Sequence, residues 1–161
     1  MEEVISLKKK VKNNRLQSQK DEESLAYDHF SFFTGATEDE ISKLPSEVTE
    51  DIKAFLRENN GARLFYDPLY GGGYELFSID EIIELLVIWE CPINFLPIGF
   101  GPNGEWIVYE MHGENKKRMW IGESINFEEN LDATALDFMD WLDYLILLKG
   151  APYWTWDKAV Q

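Results

Sequence analysis

Between residues 62 and 121 the chain is divided into short apolar runs, and this division limits how it can fold. Apart from residues 79–89, each run is about four to six residues long, and clusters containing Gly, Pro or Asn separate most of them. Runs of this length are typical of strands and are too short for stable isolated helices. The strand candidates are residues 62–66, 74–77, 95–98, 106–111 and 118–121.

Helices are predicted around this strand-rich centre. Thr37 with Glu40, and Ser78 with Glu81, have the spacing of capping boxes at helix starts. The predicted helices are a short turn ending near residue 43, residues 47–59 capped by Ser46, residues 79–89, and residues 135–148 capped by Thr134. Their apolar stripes include Val48, Ile52, Phe55 and Leu56 in the second helix, and Phe138, Met139, Leu142, Leu145 and Ile146 in the last. Short strands flanked by helices indicate a single α+β domain with a mainly antiparallel sheet.

Gly99, Gly101 and Gly104 form a G-x-G-x-x-G pattern, which in dinucleotide-binding enzymes cradles a phosphate. That function requires a helix after the glycines, whereas the residues after Gly104 predict a strand. Pro102 also removes an N–H donor that a phosphate would need. The pattern is therefore interpreted as a tight turn between strands.

No catalytic or metal-binding constellation stands out in the sequence. His29 and His112 are the only histidines and lie far apart, and Cys91 is the only cysteine. Glu110, His112 and Glu114 alternate and could place three ligands on one side, but a solvent-facing strand edge explains the alternation better. We therefore predict a binding protein without enzymatic activity, cofactor or metal.

Charge is distributed unevenly along the chain, whose net charge is −15. Residues 1–20 carry 6 basic and 2 acidic residues, whereas residues 21–161 carry 9 and 28. Residues 1–24 are interpreted as a basic N-terminal extension, a mobile tail or frayed helix, and residues 25–161 as the folded domain. An acidic body repels nucleic acid and anionic membranes and attracts basic partners, although acidity also serves solubility. No secretory signal is visible, which predicts a cytoplasmic protein.

Five segments in order resemble the SUKH superfamily, the Smi/Knr-type cell-wall-assembly regulator domain. They are LPSEVTEDIKAFLRENNGA at 44–62, LFSIDEI at 76–82, FLPIGFGPNGEWIVYEM at 95–111, MWIG at 119–122 and DFMDWLDYLI at 137–146. The resemblance covers about residues 27–148. It departs from the family at the Gly72-Gly73 region and at the basic extension, which leaves the binding surface open.

The resemblance implies a non-catalytic α+β domain, and many bacterial members are immunity proteins that neutralise toxins. Because nuclease toxins are often basic, it implies a basic nuclease toxin as the partner here, with no direct binding of nucleic acid or membrane. The predicted partner-binding residues are the acidic ones near the glycine turn and before the last helix: Glu105, Glu110, Glu123, Glu128, Glu129 and Asp132. A regulatory adaptor that binds a housekeeping protein or a small ligand is the main alternative. Carbohydrate binding through Tyr70, Tyr74, Trp154 and Trp156 is a third.

Overall fold

Five α-helices and eight strands make up the described part of the chain. The computed structural model describes residues 2–11, 15–19, 25–88, 92–114, 116–123 and 131–155. In chain order the elements are α1 (Glu2–Lys10), β1 (Arg15–Gln19), β2 (Leu25–Phe32), α2 (Glu38–Ile41), α3 (Glu50–Glu58), β3 (Ala62–Tyr66), β4 (Tyr74–Leu76), α4 (Ile79–Ile88), β5 (Phe95–Phe100), β6 (Trp106–Glu110), β7 (Met119–Gly122), β8 (Leu131–Ala133) and α5 (Phe138–Leu147).

The strands form one antiparallel sheet in which sequence neighbours are also spatial neighbours. Its order runs from β1 to β8 without a crossover. The α+β prediction is therefore confirmed. All five predicted strands are present, with ends shifted by up to two residues. The sequence patterns did not predict β1, β2 or β8.

Buried side chains from all five helices join those of the strands in one hydrophobic core. The core residues of the strands come from every second strand position, for example Leu64, Leu76, Ile107 and Ile121. The predicted stripe of the helix now numbered α3 is buried, as are Phe138, Leu142 and Leu145 of α5. Trp141 of α5 was not part of the predicted stripe, and it is also fully buried. Among the described residues, no helix is long and apolar enough to cross a membrane.

Capping explains where the helices begin. The predicted capping box at Thr37 is formed, because its Oγ1 accepts the Glu40 N–H and the Glu40 carboxylate accepts the Thr37 N–H. Ser78 and Glu81 make the same pair of contacts ahead of α4.

Two predicted helix starts are wrong. α3 begins at Glu50 after Thr49, because the Ser46 hydroxyl donates to the Glu47 side chain and caps no helix. α5 begins at Phe138, where the Asp137 carboxylate accepts the Asp140 N–H. Residue 135 cannot belong to α5, since Ala135 has a left-handed φ of 59°.

The N-terminal helix packs on the domain, which differs from its interpretation as a tail. Val4 and Leu7 are buried in the same core as the sheet, and α1 lies against α5. Lys8 Nζ donates to Asn59 Oδ1 at 2.7 Å and lies 5.4 Å from the centre of the Phe32 ring. A domain boundary at residue 25 stays a prediction.

Truncating Leu7 is expected to destabilise the protein. Leu7 is only 5% exposed, so Leu7→Ala should lower the free energy of unfolding by about 2 kcal/mol. Ile5 on the same helix is 48% exposed, and Ile5→Ala should change it by less than about 0.5 kcal/mol. Urea unfolding followed by tryptophan fluorescence would measure both. Equal, small effects would restore the tail interpretation.

Candidate functional site

Strands β1, β3, β5 and β7 finish at the same end of the sheet, which we call the hairpin end. Neighbouring strands are antiparallel, so every second connection returns to the same end. The described residues of the hairpin end are the connections 67–73, between β3 and β4, and 101–105, between β5 and β6, together with residue 123 after β7. Residues 20–24 and 124–130 lie outside the described residues. The other connections, which include α2, α3 and α4, start and finish at the opposite end.

The hairpin end is rich in acidic residues. Its described residues include three carboxylates, those of Asp67, Glu105 and Glu123, and no Lys or Arg. The connections that start and finish at the opposite end, 33–61, 77–94 and 111–118, include 11 acidic and 6 basic residues among those that the structure describes. The described part of the hairpin end differs in having no cation to offset its carboxylates, so a basic surface would be attracted there.

Glu105 belongs to the hairpin end and is held in a defined position. Its carboxylate accepts the Asn103 backbone N–H and the Asn103 side-chain N–H, both at 2.9 Å. The residue is partly exposed. Burial, and secondarily the nearby Glu105 charge, raises the pKa of Tyr74 above its usual range. The Glu105 carboxylate is therefore pre-positioned beside the start of β4.

Glu123 lies beside Glu105 across the sheet. Trp106 of β6 pairs with Gly122 of β7. Glu105 precedes Trp106 and Glu123 follows Gly122, so both glutamates flank the same end of this strand pair. Glu123 is exposed. The backbone of Asp132 lies in β8 opposite Ile121, one step inside this end. Glu128 and Glu129 lie outside the described residues, so their contact with a partner stays a prediction.

Glu110 does not belong to this surface, and the structure corrects its predicted role. It lies at the opposite end of β6, where it pairs with Phe95, and it is only 7% exposed. Its Oε2 accepts the indole N–H of Trp120 at 2.9 Å. The predicted strand 106–111 correctly included Glu110. Its carboxylate is buried against the Trp120 indole, so it serves the structure and is not available to a partner.

Removing the Glu110 carboxylate is expected to cost stability. Glu110→Ala leaves the Trp120 indole N–H without this acceptor and should lower the free energy of unfolding by about 2 kcal/mol. Glu110→Gln retains an acceptor oxygen and should cost less than about 1 kcal/mol. Equilibrium urea unfolding would compare the two variants. Equal stability of the alanine variant and the parent protein would contradict the assigned contact.

The G-x-G-x-x-G segment forms a turn, as predicted. Gly101 N–H donates to Glu105 O at 2.8 Å, and Gly104 N–H donates to Gly101 O at 3.0 Å, which closes the connection from β5 to β6. Gly104 has a φ of 80°, a conformation that glycine adopts readily. The segment continues into a strand and opens no helix, so it lacks the geometry of a phosphate-binding loop.

Other candidate chemical groups are accounted for by local contacts. His112 Nε2 lies 3.6 Å from a Glu47 oxygen, which links the 111–118 connection to the segment before α3. In the part of the chain that the structure describes, no group of three His, Cys, Asp or Glu residues could hold a metal ion. Cys91 and Trp156 lie outside that part.

Tyr74 and Trp154 do not form an exposed carbohydrate platform. Tyr74 is 2% exposed and donates its hydroxyl to Gly150 O at 2.9 Å. Trp154 is partly buried against Tyr74 and Trp141. Tyr70 remains exposed.

Comparison with known proteins identifies the family. The model of the SMI1/KNR4 family (SUKH-1) matches residues 35–144. The chain belongs to this family. It is also 30% identical over 141 residues to the uncharacterized protein YnaB of Bacillus subtilis (strain 168), covering 82% of this chain and 91% of YnaB. The uncharacterized protein YobM of the same strain is 32% identical over 121 residues, covering 68% of this chain and 62% of YobM.

Membership in the SMI1/KNR4 family indicates a domain that binds protein partners, and family members are generally non-catalytic. The matched residues include α2 to β7 and most of α5. They also include the described residues of the hairpin end, 67–73, 101–105 and 123. The sequence patterns pointed to Glu105 and Glu123 but missed that Asp67 lies at the same end. An antiparallel sheet with its strands in sequence order brings every second connection to the same end, and this rule could have predicted the position of Asp67.

Proposed function

We propose that this SMI1/KNR4-family chain is a non-catalytic immunity protein that neutralises a cognate polymorphic toxin in the cytoplasm. The proposed toxin is a basic protein, with a nuclease domain as the best-fitting class. The observation that carries the proposal is the charge of the described part of the hairpin end, where Asp67, Glu105 and Glu123 are accompanied by no basic residue.

The physical argument begins with what a nuclease requires. A nuclease surface must attract phosphates, so it carries Lys and Arg around its active site. An acidic protein can cover such a surface by presenting carboxylates in place of phosphates. Electrostatic attraction then accelerates the encounter and orients the two proteins.

The positions of Glu105 and Glu123 support this function. The Glu105 carboxylate is fixed by two hydrogen bonds from Asn103, and Glu123 is exposed next to it across the β6–β7 ladder. A carboxylate that is already ordered loses less side-chain entropy when a partner binds. In the proposed complex, these two residues contact the basic surface of the toxin, together with Asp132 and with Glu128 and Glu129 of the same connection.

A growth selection tests the proposal. Fragments of the genome that encodes this chain are expressed from an inducible promoter in cells that either contain or lack the chain. We expect at least one fragment that stops growth only when the chain is absent, and that fragment should encode a basic protein. Degraded DNA or RNA in the arrested cells would identify it as a nuclease.

The control for the selection is an unrelated acidic protein of similar net charge. It should fail to restore growth, because neutralisation requires a specific surface as well as charge. Equal rescue by this control would contradict the proposal. Retention of only a housekeeping protein on the immobilised chain, with no toxic fragment in the genome, would favour the adaptor alternative.

A further inference from the structure

The connection between β3 and β4 is a tightly built turn. Asp67 Oδ1 accepts the backbone N–H groups of Leu69 at 2.8 Å and of Tyr70 at 3.0 Å. Asp67 and Gly71 also exchange two backbone hydrogen bonds, of 3.0 and 2.8 Å. These four bonds fix the path of the chain from residue 67 to residue 71.

The base of this turn is fixed to the sheet. A Cβ on Gly73 would lie 2.5 Å from the carbonyl oxygen of Leu64, so only glycine lets the chain pass this close to β3. Gly73 also has a φ of 75°. The turn therefore projects from the hairpin end at a set position.

The residues at the tip of the turn are apolar and almost fully exposed. Leu69 is 86% exposed and Tyr70 is 89% exposed. Tyrosine is enriched among the residues that dominate protein–protein binding energy. An anchor on a pre-ordered turn also costs little conformational entropy when it binds.

The carboxylates of Asp67 and Glu75 lie beside the turn, together with the guanidinium group of Arg63. A cleft of about 310 Å³ lies beside the turn, and its lining includes Tyr66, Asp67 and Glu75. Glu75 is paired with Arg63 at 3.1 Å, and Glu105 lies at the same end of the sheet. An apolar tip with acidic neighbours is complementary to an apolar pocket with basic neighbours.

We infer that Leu69 and Tyr70 are the apolar anchor of this domain and insert into a pocket on a basic folded protein. The carboxylates of the hairpin end contact the basic residues around that pocket. The inference rests on the proposed function for the identity of the partner as a toxin, but the docking itself can be tested separately.

The first experiment uses a photoreactive side chain in the full-length protein. Benzoylphenylalanine replaces Tyr70 in one variant and Val87, an 80% exposed residue of α4, in the control. After irradiation in the bacterium that encodes the chain, we expect a basic protein to be crosslinked at position 70 and not at position 87. No crosslink at position 70, or the same products at both positions, would overturn the inference.

The second experiment measures affinity for the protein crosslinked at position 70. The double variant Leu69→Ala/Tyr70→Ala should bind it about 30-fold or more weakly, mainly through faster dissociation. The matched control Val87→Ala/Ile93→Ala removes two other exposed apolar side chains and should bind as the parent does. Unchanged affinity of the double variant would also overturn the inference.

These outcomes separate the inference from the proposed function. The growth selection could yield a toxin that does not crosslink at position 70 and that binds the double variant as tightly as the parent. In that case the anchor is wrong and the proposed function stands. If a basic protein meets both criteria but is not toxic, the anchor stands and the immunity function is wrong.

Discussion

Gly99→Ala is expected to destabilise the domain by about 3 kcal/mol or more, because position 99 has no room for a side chain. Gly99 lies in β5 between Leu76 of β4 and Ile107 of β6, in the middle of the sheet. A Cβ there would overlap the carbonyl oxygen of Glu75. That oxygen belongs to the backbone of β4, so relief requires neighbouring strands to move apart.

Gly104→Ala is the matched control within the same sequence pattern. A Cβ at Gly104 would meet no atom within 4 Å, so only its φ of 80° opposes the substitution. The expected cost is about 1 kcal/mol. Urea unfolding of both variants would test the comparison. If Gly99→Ala unfolded at the same urea concentration as the parent, the packing assigned to Gly99 would be wrong.

Reversing two charges at the hairpin end is expected to slow capture of the partner strongly. Glu105→Lys/Glu123→Lys replaces two neighbouring carboxylates with cations at the proposed binding surface. Association with the toxin from the growth selection should slow about 10-fold or more at low salt. The dependence of the association rate on salt should also become weaker. Stopped-flow or surface-based kinetics at several salt concentrations would measure both effects.

The control for this variant changes the net charge equally at another place. Glu58 of α3 and Glu84 of α4 are exposed, and Glu58→Lys/Glu84→Lys makes the same change in net charge. This control should associate nearly as fast as the parent. Equal rates for the two double variants would refute the proposed surface and leave only a general effect of net charge. Thermal unfolding of all variants would confirm that loss of the Asn103 contacts has not unfolded the domain.

Local sequence patterns predicted the strands and helices in the middle of the chain well, because each has its own periodicity and turn residues. They failed where a distant contact decides the structure. Among the described side chains of α1, only Val4 and Leu7 are buried, and a run of lysines follows them. The local sequence pattern therefore did not indicate that this helix packs on α5. β1 was missed because its polar residues RLQSQ lack a strand pattern and pair at the edge of the sheet.

The predicted partner-binding residues do not all lie at one end of the sheet. Glu105 and Glu123 were chosen for their charge and their nearness to turns, and both belong to the hairpin end. Glu110 was chosen on the same grounds. Its burial depends on Trp120 of the neighbouring strand, whose indole N–H its carboxylate accepts. The exposed pair Leu69 and Tyr70 could not be recognised as an anchor, because a sequence does not show which tyrosine is 89% exposed and which is 2% exposed.

The sheet separates residues that hold the fold from residues at the tips of its hairpins. Substitutions at Leu69 or Tyr70 remove no buried contact, whereas a change at Gly99 disturbs three strands. We expect such a scaffold to accept other side chains at positions 69 and 70 with little change in its melting temperature. Exchanging residues 68–72 between relatives should therefore redirect recognition without redesign of the interior, which makes this domain suitable for engineering new binders.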